Sequence, residues 1–176
     1  MVKGGNCMGK IIAALAGVGK SYVGEKYKNV LDLDWTYFKW MKLEDEKLSI
    51  EQRKGNPNRI PNPEWPQNYV KEILKQKDNY DIVLIPPSHE RLKTEYVFKY
   101  FDEHNIEYYV ARPNLSGWKY IEQRLRERGN TDEFICQVRD NFEIFIEEFS
   151  KKKYKQIVIE DGDFLEDALI KKGLIK

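Results

Sequence analysis

The chain has 176 residues, 30 basic and 29 acidic side chains and a formal net charge of +1, with 41% hydrophobic and 34% charged residues. That length suits one domain with a sizeable core, and the composition excludes a disordered or fibrous chain. The near-zero charge gives no whole-molecule field for DNA, RNA or a membrane surface, so any anionic ligand has to be held by a local cluster.

The two cysteines, Cys7 and Cys136, have no metal-ligand spacing, and a domain of this size needs no disulfide. A reduced, cytoplasmic setting is expected. Near the N-terminus only a short apolar run from Ile11 to Leu15 is present, which is too short for a signal peptide or a membrane span. Gly4, Gly5 and Gly9 read as a flexible leader.

In chain order, KIIAA (10–14) reads as a strand closed by a glycine-bearing turn, and SYVGEKY behind it as a short helix. NVLDLD (29–34) reads as a second strand ending in acid. An aromatic segment follows with helical spacing at Trp35, Phe38 and Met41. Residues 49–66 carry four prolines, three asparagines and Gly55, a composition for a long loop over the active face. A helix is expected over 67–77, and YDIVLIPP gives a third strand stopped by Pro86 and Pro87. Ser88 is placed to cap a helix over about 89–104. The strand EYYVARP (107–113), helices over about 116–128 and 131–151 separated by Gly129 and Asn130, the strand QIVIE (156–160) and a helix over about 163–172 complete the chain. Five short apolar strands alternating with helices imply an α/β fold, with a parallel sheet covered on both faces.

Between the first strand and the first helix stands A-L-A-G-V-G-K-S, with Gly17, Gly19, Lys20 and Ser21 in the P-loop arrangement. Wrapping phosphates in backbone N–H groups needs residues without Cβ and gains from the positive end of a helix. The span from Ala14 through Val18 to Tyr22 is therefore the candidate nucleotide-binding loop. Lys20 is the charge on the β- and γ-phosphates, and Ser21 is a ligand of Mg²⁺. Ala14 stands where the full pattern has its first glycine, which is acceptable if its φ is negative.

Asp32 and Asp34 sit at alternate positions of the second strand, placing both carboxylates on one face near the ligand crevice. One can help hold Mg²⁺ through water, and the other can orient or deprotonate an attacking hydroxyl. Asp34 also suits a helix N-cap. The third strand ends without an acid, so the carboxylate usual there in P-loop ATPases is missing, which points to a small kinase rather than a motor or switch.

Between the fourth and fifth strands, Arg124 and Arg128 share a helical face and suit a transferring phosphoryl group, while Arg126 points elsewhere. Arg139 could join them, and Arg112 at the end of the fourth strand is a further candidate for the nucleotide base or phosphate. An exposed helix with i,i+4 ion pairs accounts for the same arginines, because Glu122, Glu127 and Asp132 are near.

GVGKS, the D-L-D of the second strand and R-x-R-x-R together resemble the P-loop nucleoside and nucleotide kinase group, which includes adenylate kinase-like and shikimate kinase-like enzymes. The chain looks most like the small kinase-like proteins of bacteriophages and their bacterial hosts. The resemblance implies a single three-layer P-loop NTPase domain over 1–176 with sheet order 2-3-1-4-5, a helical lid over about 114–131 and an acceptor-binding region over about 34–66. It implies ATP or another nucleoside triphosphate as donor and Mg²⁺ as cofactor. By the same resemblance Gly17, Gly19, Lys20 and Ser21 carry triphosphate and metal, Asp32 is metal-linked, Asp34 holds or activates the acceptor, and Arg124 and Arg128 are lid arginines.

The chain departs from that group after the third strand, where PPSHER replaces the segment by which monophosphate kinases hold their acceptor phosphate; His89 and Arg91 are candidate substitutes. Trp35, Tyr37, Phe38 and Trp40 offer aromatic faces to a base, or core packing, and Arg53, Lys54 and Arg59 offer charge to an acceptor phosphate. Three activities remain open: a phosphotransferase acting on a nucleoside monophosphate or similar small acceptor, a nucleotide-binding or ATP-hydrolysing regulatory protein without a small acceptor, and a kinase acting on a modified base in phage DNA.

Overall fold

A computed structural model describes residues 9–41, 60–88, 96–151 and 153–176. His89, Arg91, Arg53, Lys54 and Arg59 lie outside those residues, as does Cys7. Five parallel strands form one sheet in the order β2-β3-β1-β4-β5: β1 (Lys10–Ala14), β2 (Val30–Asp32), β3 (Ile82–Ile85), β4 (Tyr108–Pro113) and β5 (Lys155–Ile159). This is the expected α/β class and the expected order.

The apolar runs explain the arrangement. β1 and β3 are buried along nearly their whole length, as central parallel strands covered on both faces must be. β1 pairs with β3 on one side and β4 on the other, with Ala13 opposite both Ile85 and Val110. The chain therefore leaves β1 where its neighbours diverge, the topological switch point at which open α/β sheets bind ligands.

Helices cover the sheet. α1 (Lys20–Lys26) lies against β2, and α2 (Thr36–Lys39) is a single turn. α3 (Gln67–Lys77) packs on β3 and β1, and α4 (Tyr96–Glu103) follows β3. A 3-10 turn (Leu115–Gly117) leads into α5 (Trp118–Glu127), α6 (Asp132–Phe149) packs on β4, and α7 (Leu165–Lys171) packs on β5 and touches α1. Among the described residues no helix is long and apolar enough to cross a membrane.

Several expectations are corrected. The aromatic helix from Trp35 stops after one turn, because Trp40 turns extended and forms an antiparallel bridge with Pro61. Met41 is consequently exposed at 48% rather than on a helix's apolar face. The second strand ends at Asp32, so Asp34 belongs to the turn after it and not to the strand. Gly9 is no flexible leader: its N–H donates to Lys77 O at 3.0 Å, and a Cβ there would stand 2.1 Å from Tyr80 O. Ser88 does cap a helix, but across a gap in sequence: its buried hydroxyl accepts from Phe98 N at 3.4 Å, in the first turn of α4.

Candidate functional site

The loop between β1 and α1 is held open by glycine. Gly17 and Gly19 have φ of 83° and 100°, which residues with a Cβ rarely adopt. A Cβ on Gly17 would stand 2.9 Å from Ile121 Cγ2, so α5 presses directly on the loop. Among the described residues Asn105 is the one non-glycine with positive φ, so Ala14 meets the condition under which alanine replaces the leading glycine without strain. Val18 O accepts from Leu165 N at 2.9 Å, clamping the loop to the start of α7. Lys20 Nζ folds back over the loop and donates to Ala14 O at 2.9 Å and Leu15 O at 3.0 Å.

Ser21 Oγ donates to Asp32 Oδ2 at 2.8 Å, joining the first turn of α1 to the end of β2. The other oxygen, Asp32 Oδ1, is buried and takes no hydrogen bond from the described residues. Gly24 makes this possible: a Cβ there would stand 3.0 Å from Asp32 Cβ and 3.1 Å from Asp32 N, so only glycine lets α1 press this closely on β2. Among the described residues no three His, Cys, Asp or Glu side chains gather into a metal cage. A hydroxyl beside a carboxylate is instead a hard-oxygen pair of the kind Mg²⁺ uses with phosphates and water as its other ligands. The residues present fit that ion.

Arg124 forms the opposite wall. Its Nη2 donates to Gly162 O and Asp163 O, both at 2.9 Å, and its guanidinium lies 3.6 Å from the centroid of the Phe164 ring. Partial burial lowers the guanidinium's pKa, opposed by Asp167, Asp163 and Glu127; Arg nonetheless stays charged. Phe164 also backs Gly19, whose added Cβ would meet its ring at 3.4 Å. Between Val18, Tyr120, Arg124 and Gly162 a shallow cleft opens beside the loop. Arg128 caps the C-terminal end of α5 and is exposed, without a side-chain partner among the described residues.

Other predicted residues fall elsewhere. Arg112 is engaged across the β4–β5 edge, donating from Nε to Gln156 Oε1 at 2.8 Å. Tyr22 is 54% exposed on α1, its hydroxyl accepting from Lys26 Nζ at 3.4 Å. Arg126 pairs with Glu122 and Asp132 in the exposed network that its spacing suggested. Arg139 is exposed on α6.

Asp34 caps the turn after β2, Oδ1 accepting from Thr36 N at 2.7 Å. Trp35 and Phe38 pack inward on Tyr69, at ring distances of 6.5 and 5.2 Å, with Trp65 stacked on Tyr69 at 5.6 Å. Their spacing thus serves the core, while Tyr37 is 44% exposed. Three contributors went unread in the sequence: Tyr69, Gly24 and Phe164. Gly24 alone left a signal, a glycine inside a helix where alanine is the better former.

No protein-family model and no characterised relative matches the chain. The solved structure of the Deinococcus radiodurans tunicamycin resistance protein superposes with a TM-score of 0.52 at 13% identity, over 95% of this chain and 97% of that one. At such identity the likeness is one of fold: a five-stranded parallel sheet flanked by helices.

Proposed function

We propose that the chain is an ATP-dependent phosphotransferase whose acceptor is a nucleoside monophosphate or a similar small nucleotide or nucleoside. The observation that carries this reading is the Ser21–Asp32 pair at 2.8 Å, with Asp32 Oδ1 buried and unpartnered, directly behind a glycine-built phosphate loop. A purely structural βα turn has no need of an unsatisfied carboxylate oxygen, which costs about 1–3 kcal/mol or more when charged.

In this reading the N–H groups of residues 17–21 and Lys20 hold the triphosphate. Lys20 exchanges the carbonyls of Ala14 and Leu15 for phosphate oxygens, a short movement of a flexible side chain. Ser21 and Asp32 would hold Mg²⁺, which supplies charge neutralisation at the phosphates. The stacked Arg124 and Phe164 beside the loop offer a guanidinium plane and a flat ring on whose outer faces the base would lie. Arg128, exposed one turn further along the chain, offers its guanidinium to the transferring phosphoryl group. Asp34, fixed by Thr36 N, orients the acceptor hydroxyl or phosphate.

The test is a panel of nucleosides, nucleotides and phage-type modified DNA incubated with protein, labelled ATP and Mg²⁺. Label in a small acceptor is the expected result. Phosphate release with no labelled acceptor would favour a hydrolysing regulatory protein, and label in polymer alone would favour a DNA-base kinase.

A further inference from the structure

The peptide that links the two carboxylates is fastened at both ends by residues far away in sequence. Leu33 N donates to Leu84 O of β3 at 2.9 Å, and Leu33 O accepts from Tyr69 Oη at 2.6 Å. The preceding residue on α3 acts on the other end of the same segment: Asn68 Nδ2 donates to Phe38 O at 2.9 Å. Asn68 and Tyr69 thus satisfy two carbonyls that bracket Asp34, one before it and one at the last turn of α2. Tyr69 has no exposed surface, and its ring packs against Trp35, Phe38 and Trp65.

From this we infer that Tyr69 is a positioning residue for Asp34, acting through the Leu33 carbonyl, with Asn68 as its second anchor. The inference rests on the acceptor role given to Asp34 above. Its physical basis is that the hydrogen bonds at Leu33 and Thr36 and the aromatic packing beneath them tie the turn after β2 to β3 and α3 on either side of Asp34. Misplacement of a reacting group's partner by about 1 Å is enough to slow a reaction, so what aims the turn bears on what Asp34 can do. Burial first, and then the charges of Asp34 and Asp32, raise the Tyr69 phenol well above its ordinary pKa. It therefore remains a neutral O–H donor, facing a carbonyl and not the substrate.

Tyr69→Phe keeps the ring and deletes the donor. In the transfer assay kcat is expected to fall about 10-fold or more while KM for ATP stays within about two-fold, because the phosphate loop is untouched. In an Asp34→Asn background, where the amide oxygen still caps Thr36, the same substitution should add little, since Tyr69 acts through Asp34. Independently of any activity, hydrogen exchange at the Thr36 amide should quicken in Tyr69→Phe while that of Ile12 in β1 is unchanged.

Unaltered Thr36 exchange, or a kcat loss as large in the Asp34→Asn background as in the wild type, would overturn the inference. A wild-type protein that transfers phosphate to nothing would instead sink the phosphotransferase reading, leaving the exchange experiment to judge Tyr69 alone. Should Tyr69→Phe fail to fold, Asn68→Ala cuts the second anchor, and its failure to quicken exchange at the Trp40 amide, which donates to Thr36 O, would count equally against the clasp.

Discussion

The two ends of the crevice are built by opposite strategies. The end proposed for the nucleotide is largely local: eight consecutive residues from Ala14 to Ser21 supply the loop, and Ile121 and Phe164 stand directly behind it. The end proposed for the acceptor is assembled from distant pieces, with Asp34 on one turn, its supports at Leu84 and Tyr69, and its aromatic floor from Trp35, Phe38, Trp65 and Tyr69. A contiguous site is fixed by backbone conformation, whereas a dispersed one depends on the packing of the whole half-domain. Donor binding should therefore survive perturbations that ruin the acceptor end.

Lys20→Ala attacks the contiguous end at its charge. It is expected to remove nucleotide binding by calorimetry and to lower transfer by about 10²-fold to 10³-fold, the usual loss when one preorganised cation or donor is taken from a transferring group. Full activity would refute the loop as donor site. Asp34→Asn attacks the other end, with turnover expected to fall about 10²-fold and ATP affinity unchanged. Equal turnover would reduce Asp34 to the cap it makes with Thr36.

Arg124→Ala touches the wall between the ends. Losing the stack on Phe164 should weaken ATP binding by about 1 kcal/mol, or roughly five-fold, leaving acceptor affinity as it was. A parallel loss for acceptor would show that the two ends are coupled through α5.

The smallest effect belongs to Glu166, which ties α7 to α1 by accepting from Tyr27 Oη at 2.5 Å and pairing with Lys26 at 2.7 Å. Those bonds, the one from Lys26 first, hold its carboxyl below the ordinary 4.5. The stabilisation is therefore fully present above pH 4.5 and is lost as the pH falls through the lower, folded value. Thermal melts of Glu166→Gln should run slightly below wild type at neutral pH and converge with it in acid; a constant gap would assign the contribution to something other than charge.

What was legible in the sequence follows the same division. The strands are short apolar runs whose burial is their reason for existing, so β1, β4 and β5 stand within a residue or so of their expected bounds. The loop's conformation could be read because its glycines take positive φ where they stand and its lysine and serine bond within reach of it. The sequence offers Arg124 as a lid arginine but not the partners it has, because they are the carbonyls of Gly162 and Asp163, and backbone atoms leave no trace in side-chain identity. Tyr69 was invisible for a related reason: a tyrosine among the apolar positions of an amphipathic helix reads as core, and only the fold shows the carbonyl at its tip. The helix after Trp35 was overread because its apolar spacing continues past Trp40, where pairing with Pro61 wins over propensity.

The bond from Leu165 N to Val18 O has a bearing on how the molecule comes into being. A ribosome releases residue 165 long after residue 18, so the nascent polypeptide carries that loop for a stretch of its synthesis without the brace that shapes it. The braced form of the loop arrives with the docking of α7, and a product truncated before Leu165 would display the whole motif without the contact that holds it in shape.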